Sequence, residues 1–340
     1  MRSFYFSVMV GGTVVLSGSS LNGLNSISIN DNDGETADTA TMTLDDTDGR
    51  NRLPQKNDDV VIMIGRSAAA VVKKFTGKVT GVQSVGGSGG RTITVNCDSA
   101  DMSGKGKEPL QKSWKGKTVK EILTDAANEA GYQAPKIDDS IGSKTREKEV
   151  ADGESFLEIA RRVAGEVGGR FKMFGDQPVM VDAKGGTSAS GASLAALAVT
   201  WGDNLISWSI SPRDNRSDHS EYQSKYFDLE QGKWVTVSES GKSEAKAKAK
   251  NAKPAATKSE AESQAKADKD AGDRGAGAGS VSLDGDASLI AGGTIALVGA
   301  RPGIDGTYTV SSCTHTLDTG GYNCSAQLEH PRGDAGTDGR

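Results

Sequence analysis

Hydrophobic and polar positions alternate through most of the first hundred residues. Short β-branched runs such as SISIN (26–30) and DVVIMIG (59–65) are separated by turn-forming clusters such as NDNDGE and GGSGG. Alternation at this spacing, interrupted by Asn, Asp and Gly, predicts short antiparallel strands arranged as a barrel or sandwich. We therefore assign residues 1–100 to a first β-barrel domain.

The hydrophobic period becomes helical after Ser103. Apolar residues recur at helical spacing from Val119 to Ala130 and again from Phe156 to Val167. Thr118 with Glu121 forms a capping box before the first helix, and Gly168 supplies a stop for the second. The run GGRFKMFGDQPVMVDA then predicts a hairpin. Residues 101–199 are expected to form a small α+β domain that ends in a Gly/Ser-rich linker.

Strand patterns return in residues 200–240 and 279–331, which we assign to a second β-barrel domain. Residues 241–278 between them are rich in Lys and Ala. Alanine is the only apolar residue from Ser259 to Ala271, so this segment is expected to be a linker or a weakly packed helix. Residues 332–340 are expected to be a disordered tail.

Similar strand sequences occur near both ends of the chain. TMTLDD (41–46) matches SVSLDG (280–285), DVVIMIG (59–65) matches GTIALVG (293–299), and FTGKVTGVQSV matches IDGTYTVSSCTHT. A glycine hairpin and a final alternating strand follow in each copy. Four elements in one order indicate a duplicated domain. The expected fold is mainly β with an α+β insertion, in which two similar antiparallel β-barrel domains flank a small α+β domain.

Composition narrows the classes of function. The 340 residues carry a formal net charge of −5, so no global basic field favours nucleic acid, and no specific nucleic-acid binding is expected. No apolar run is long enough for a membrane span. Three cysteines are too few for a secreted disulfide framework, so folding in the cytoplasm is expected.

Candidate catalytic and metal-binding residues do not form a recognisable pattern. His219, His315 and His330 lack metal-ligand spacing, and the NDNDGE cluster places Ile29 where an EF-hand needs its first ligand. The 45 acidic residues single out no catalytic pair. The lysine-rich segment 105–120 is interpreted as a solvated loop anchored by Trp114, with contact to nucleic acid or to an acidic neighbour as the alternative. We expect no catalytic site, cofactor or metal.

Cys313 and Cys324 flank the last predicted hairpin. If Asp318 and Thr319 form the centre of its turn, the two cysteines lie directly opposite each other, with Cβ atoms about 4.5–5.5 Å apart. A disulfide between them in released particles is therefore a candidate. A bond between subunits, including one through Cys97, is the open alternative.

Three segments resemble the late control gene D family, the tail hub proteins of contractile phages. They are TLDDTDGRNRLPQKNDDVVIMIG near the start, DGESFLEIARRVAGEVGGRF in the middle and the ending from Ala276 to His330, with THTLDTGGY as the most specific match. The hub part of type VI secretion spike proteins is similar. The lysine- and alanine-rich stretch 242–256 departs from the family pattern, being longer and more charged.

The resemblance implies a homotrimer that joins a hexameric tail tube to a trimeric spike. It also implies contacts with tape-measure and baseplate proteins, assembly in the bacterial host cytoplasm and a place in the virion tail or baseplate. No catalysis is required for such a role. A phage, a tailocin and a secretion apparatus are all compatible hosts. The contrasting hypothesis is a two-domain, β-rich protein that binds carbohydrate or a cell surface.

Overall fold

The computed structural model describes residues 4–32, 37–99, 106, 108–174, 176–183, 196–211, 219–243, 245–275 and 279–329. The tail from 332 lies outside these residues. The fold is mainly β with an α+β segment, which confirms the expected class. The chain opens with what we call the first strand group: β1 (Tyr5–Val10), β2 (Thr13–Gly18), β3 (Leu24–Asn32), β4 (Thr39–Asp45), β5 (Asp59–Gly65), β6 (Val72–Gly87) and β7 (Gly90–Asp98).

The α+β segment follows with its predicted helices. Its elements are β8 (Leu110–Thr118), α1 (Val119–Glu129), β9 (Lys136–Ile137), α2 (Asp139–Gly142), β10 (Thr145–Glu154), α3 (Phe156–Val167), β11 (Gly169–Phe174) and β12 (Gln177–Asp182). The capping box of Thr118 with Glu121 opens α1, and an equivalent box opens α3. Gly168, at a φ of 77°, ends α3 in the left-handed conformation that favours glycine.

Most of the lysine-rich segment 105–120, expected as a loop, is in fact the strand β8, and its last two residues begin α1. It pairs antiparallel with β10, in a register that places Trp114 opposite Glu149. Trp114 is buried and its indole N–H donates to Asp125, 2.7 Å away. Lys112 pairs with Asp125 and Glu129, and Lys117 pairs with Glu121. Only Leu110 and Trp114 are buried along this strand, so the sequence shows no regular apolar alternation, and the high charge hid the strand.

The rest of the chain makes a second strand group, interrupted by a separate unit. β13 (Leu197–Thr200) and β14 (Leu205–Ile210) begin the group. The chain then leaves it for what we call the side unit: β15 (Glu221–Asp228), β16 (Lys233–Ser240), β17 (Lys248–Lys250) and α4 (Lys258–Gly275). It returns with β18 (Gly279–Asp284), β19 (Thr294–Val298), β20 (Gly306–Asp318) and β21 (Gly321–Leu328).

The side unit differs from the sequence expectation in two respects. The hairpin Glu221–Ser240, expected within the second barrel, pairs with β17 in a sheet of its own. Alternation identifies a strand but not the sheet it joins, which explains the error. The alanine-rich helix is also packed: Ala261 and Ala265 are fully buried, and Gln264 accepts from the Ser224 hydroxyl at 2.7 Å. Small residues let α4 approach β15, β16 and α3 closely.

The two strand groups join into one 13-stranded sheet. Along its main path the order is β14-β18-β21-β20-β3-β4-β7-β6-β5-β1-β2, with β19 paired to β20 and β13 paired to β19. The groups meet where β20 pairs antiparallel with β3, with His315 opposite Ile29 and Cys313 opposite Asp31. One hydrophobic core extends under both groups, and a separate core lies within the α+β segment.

The second strand group repeats the first group's pairing order. β4 lies between β3 and β7 as β18 lies between β14 and β21, and β6 lies between β7 and β5 as β20 lies between β21 and β19. TMTLDD and SVSLDG thus occupy matching positions, as predicted. The repeat does not extend to the next strand: β1 pairs antiparallel with β5, whereas β13 occupies the same place beside β19 but runs parallel to it. Closure of each group into a barrel and the domain boundaries stay predictions.

The repeat extends to individual irregularities. The β6–β7 ladder shifts register between Val79 and Gly81, and the β20–β21 ladder shifts between Val310 and Ser312. The β3–β4 and β14–β18 ladders share a second shift, immediately after Leu24 and Leu205. A bulge inserts one residue at a defined place. Two coincident bulges therefore fix which residues correspond in the two groups.

The same correspondence corrects one sequence alignment by a single residue. Val60 is the counterpart of Ile295 rather than of Thr294, because both are fully buried. Their partners agree, since Val60 pairs with Gly77 and Ile295 pairs with Tyr308, and each partner lies two residues before the bulge on its own strand. A one-residue slip would turn every side chain to the wrong face. Asn57 and Gly292, which precede these strands, share positive φ values of 72° and 78°.

Candidate functional site

The histidine and cysteines singled out from the sequence come together where the strand groups meet. His315 lies on β20 between Cys313 on the same strand and Cys324 on β21. All three residues are buried. His219 lies apart, in the side unit beside Tyr222, and Cys97 is buried on β7. His330 lies outside the described residues.

The register of the last hairpin differs from the expected one. Asp318 pairs with Gly321, so the turn centre is Thr319–Gly320, one residue later than predicted. Cys324 consequently lies opposite His315, and Cys313 lies opposite Ala326. The prediction that the two cysteines face each other directly is wrong: they are diagonal neighbours. All three cysteines are free thiols.

His315 is held by bonds to both ring nitrogens. Its Nε2 lies 3.1 Å from the Leu289 carbonyl oxygen, which can only accept, so Nε2 carries the proton. Nδ1 then accepts from the Tyr322 hydroxyl at 2.8 Å, with the Cys324 Sγ 3.1 Å away. The side chain is 0% exposed. Burial, reinforced by the charge of Lys74, lowers the pKa of His315 to about 3, so the ring is neutral.

Two lysines and two aspartates continue this arrangement outward. Lys172, on β11, forms ion pairs with Asp31 and with Asp38, the latter at 3.1 Å. Asp31 also accepts from the Ala291 backbone N–H at 3.2 Å. Lys74, on β6, donates to the carbonyl oxygens of Ala287 and Leu289 at 2.8 and 2.7 Å. We call these eight residues the junction cluster: Asp31, Asp38, Lys74, Lys172, Cys313, His315, Tyr322 and Cys324.

Burial sets the charges within the junction cluster. It raises the pKa of Asp38 to about 6, against the opposing attraction of Lys172. Burial alone would lower the pKa of Lys172, but the carboxylates of Asp31 and Asp38 outweigh it and the pKa is raised. Burial also lowers the pKa of Lys74. The ion pairs therefore hold charges that would be costly if any partner were removed.

The junction cluster has the residue types of a Cys–His–Asp nucleophilic site but not its properties. A reactive cysteine needs a thiolate in an accessible, electropositive place. Here burial raises the pKa of Cys324 to about 11 and that of Cys313 further, and both are almost fully buried. The histidine nitrogens are already bonded. The arrangement joins β3, β6, β11, β20 and β21 and the loop from Gly285 to Gly293; its chemistry is structural.

Sequence reasoning missed the charged half of the junction cluster. Asp31 continues the buried face of β3 after Ile27 and Ile29, and that position was a usable signal. A lone carboxylate on the apolar face of a strand requires a buried partner. The partner, Lys172, lies on a distant element that no local pattern links to β3.

Other surfaces offer less chemistry. A cavity of about 600 Å³ opens at one end of the first strand group, lined by apolar side chains of β1, β2 and β4 and by residues 51–55. Among the described residues, no group of His, Cys, Asp and Glu could hold a metal ion. In the same part of the chain, no helix combines the length and apolar character that crossing a membrane requires.

Comparisons with known proteins agree with this architecture. The probable baseplate hub protein of Escherichia phage P2 is 28% identical over 191 residues, which cover 53% of this chain and 46% of that protein. The match thus spans less than half of the relative's length. The 43 kDa tail protein of prophage MuSo2 from Shewanella oneidensis superimposes with a TM-score of 0.73, at 14% identity, over 97% of this chain and 99% of that one.

A type VI secretion component of E. coli has the same fold more distantly. Its TM-score is 0.57 at 12% identity, and the match covers 92% of this chain and 74% of that one. The family model for the phage tail baseplate hub (GPD) matches residues 41–321, well over half of the chain. That range includes the α+β segment, the side unit, parts of both strand groups and four residues of the junction cluster: Lys74, Lys172, Cys313 and His315. The chain belongs to the phage tail baseplate hub family.

Proposed function

We propose that this hub is a trimeric symmetry adapter that joins a hexameric tail tube to a trimeric spike. The observation that carries the proposal is the repeat of strand order and bulges in the two strand groups. Because the two strand groups share one strand order, a single chain presents two similar surfaces.

The repeat reconciles two different symmetries. In a closed ring, each interface recurs with the rotation, so a sixfold tube and a threefold spike cannot share one interface. Three chains with two strand groups each present six similar lobes to the tube. The α+β segment and the side unit occur once per chain, so they keep threefold symmetry and face the spike or the outside of the ring.

The junction cluster suits a part that transmits force. It connects both strand groups, and through Lys172 it connects them to the α+β segment. Buried, mutually bonded polar groups favour one relative arrangement of the elements they join. A rigid connection is what an adapter requires, and catalysis is not. We accordingly propose a structural, non-enzymatic role.

The partners of the proposed adapter are other copies of itself, the tail tube protein and the spike protein, with tape-measure and further baseplate proteins as additional neighbours. It assembles in the host cytoplasm and works in the virion tail. The same role fits a tailocin or a secretion apparatus. Family membership favours this class over the carbohydrate-binding alternative.

The test combines mass and morphology. Light scattering of the purified chain should give the mass of three chains, and electron microscopy with the tube and spike proteins should show it between the two. A dimer, a true hexamer of chains, or a trimer that never associates with tube ends would overturn the proposal. Specific signals on a glycan array, without tube binding, would favour the carbohydrate-binding class.

A further inference from the structure

The junction inside the chain shows which strand edges the groups use to meet. β20 contributes Ser312–Leu317, and β3 contributes Ile27–Asn32. Because the bulges align the groups residue by residue, the counterpart of the β20 edge is the second half of β6, and the counterpart of β3 is β14. The counterpart edges belong to opposite groups, and within one chain they do not pair with each other.

Both counterpart edges are open. β6 pairs with β5 only up to Lys78, and beyond Thr80 no described strand pairs with that edge. β14 pairs with β18 and ends the sheet path of the described strands. Val85 on one edge and Ile206 on the other are each 49% exposed. Unpaired edges usually carry charge or proline that prevents pairing with another chain. Neither Thr80–Gly87 nor Leu205–Ile210 contains a charged residue or a proline.

We propose that the β6 edge of one copy pairs antiparallel with the β14 edge of the next copy. This contact between chains would repeat the β20–β3 junction within a chain, and it rests on the trimer proposed above. Transferring the internal register places Ser84 opposite Ile210, Val85 opposite Ser209 and Gly86 opposite Trp208. Each copy then offers one edge of each kind, a head-to-tail contact that closes into a ring.

The side chains fit this register. On the core face, Trp208 and Ile210 are partly buried against the core of their own chain and would meet Gly86 and Ser84. An aromatic ring across from an edge glycine covers the backbone that the glycine leaves bare. On the opposite face, Val85 would meet Ser209. The free edge of β2 is the competing partner, but no described strand of the second group is a counterpart of β2 at that edge, so the internal junction is not repeated there.

Disulfide trapping tests the register. Two double variants, Val85→Cys/Ser209→Cys and Ser84→Cys/Ile210→Cys, occupy adjacent positions of the proposed ladder. Adjacent positions alternate between hydrogen-bonded and non-hydrogen-bonded pairs, so one variant has the pairing that accommodates a disulfide. After mild oxidation, most chains of that variant should run as covalent trimers on a non-reducing gel. The native thiols are buried and should not contribute.

The controls separate this inference from the proposed trimer. Each single variant and the slipped pair Val85→Cys/Ile210→Cys, whose side chains would lie on opposite faces, should give no covalent trimer. A trimer by light scattering in which neither matched pair links would overturn the β6–β14 contact while leaving the trimer standing. Links in Val14→Cys/Ser209→Cys instead would assign the edge of β2. A monomer by light scattering would overturn the proposed function itself.

Discussion

β6 and β20 occupy equivalent positions in the two strand groups, but only β20 has the edge of its second half covered by another strand of the same chain. Both bulge at the same point and pair with equivalent neighbours on two sides. Yet Ser312–Leu317 of β20 is covered by β3, whereas the equivalent stretch of β6 is open. Ser84 stands where β20 has His315, and Arg91 stands where β21 has Tyr322.

The difference shows how one backbone serves two kinds of contact. Where the neighbouring strand belongs to the same chain, the edge carries the junction cluster, which is costly to expose and fixes one arrangement. The open edge of β6 carries uncharged, mostly small residues, which can face solvent in a single chain and can also pair with a strand of another chain. Buried charges therefore accompany the permanent β20–β3 contact within the chain. They are absent from the β6–β14 contact that we propose to form on assembly.

Lysine at the equivalent positions 315 and 84 should give the largest contrast. His315→Lys places an ammonium in a fully buried site and removes the bonds to Tyr322 and Leu289. We expect a loss of about 5 kcal/mol or more, comparable to a domain's whole stability. Ser84→Lys should change the monomer's free energy of unfolding by less than about 0.5 kcal/mol. Urea unfolding measures both, and equal effects would contradict the difference between the edges.

Removing the cation of Lys172 should have the next largest effect. Lys172→Met leaves the carboxylates of Asp31 and Asp38 buried without their partner, which costs about 3–5 kcal/mol when a buried pair is broken. Lys117→Met is the matched control, because the pair of Lys117 with Glu121 is exposed and such pairs contribute about 0–1 kcal/mol. Unfolding midpoints in urea compare the two. Similar losses of stability in Lys172→Met and Lys117→Met would show that the ion pairs of Lys172 contribute no more than an exposed pair does.

Asp38 should give the junction cluster a distinctive pH dependence. Its pKa is raised to about 6, so its contribution to stability is fully present below about pH 4 and is lost as the pH rises through 6. His315, whose pKa is lowered, acts with the opposite sign, since acidification through pH 6.5 costs stability. Asp38→Asn leaves His315 in place. The difference between the unfolding free energies of wild type and this variant therefore isolates the contribution of Asp38.

The unfolding free energy of wild type minus that of Asp38→Asn should fall by about 1–3 kcal/mol between pH 4 and pH 7. Urea unfolding at several pH values in that range measures the difference. A difference that stays flat, or that grows with pH, would show that Asp38 is not held in a desolvating site.

The smallest effect concerns thiol reactivity. Burial raises the pKa of Cys97 to about 12 and that of Cys324 to about 11, so the native chain should react with alkylating reagents very slowly. Diagonal neighbours on a sheet lie roughly 7–8 Å apart, with Cβ atoms somewhat closer. A disulfide needs Cβ atoms about 3.5–4.5 Å apart, so this pair is not placed to form one. We therefore expect three alkylatable thiols after denaturation, against one fast-reacting thiol in native Leu229→Cys, since residue 229 is highly exposed in the side unit. Peptide mapping that recovers a Cys313–Cys324 bond would refute the register.

Local patterns predicted most of the elements, because local chemistry determines them. Helical periodicity located α1 and α3, with the capping box of Thr118 and Glu121 at the start of α1 and Gly168 at the end of α3. The match of TMTLDD to SVSLDG located the repeat. What failed was a matter of register or of long-range contact. The final turn was predicted one residue too early, because Asp318, Thr319 and Gly320 can all occupy a turn. Only the pairing of the two strands shows which of them form its centre.

Contacts between distant segments could not be read from local patterns. Nothing in Glu221–Ser240 says that it leaves the second strand group, and nothing near Lys172 points to β3. Each depends on which surface the folded chain presents. The buried Asp31 was the exception, because a charge on the apolar face of a strand predicts a partner even when the partner cannot be named.

A cryo-electron microscopy reconstruction of the assembled hub tests the central claim most directly, because it shows chain number and strand register together. We expect a ring of three chains with six similar lobes. Within a chain, adjacent lobes should join through β20 and β3; between chains, through β6 and β14, with the same register at both junctions. A ring with a different number of chains, or one whose lobes do not superimpose after rotation, would contradict it.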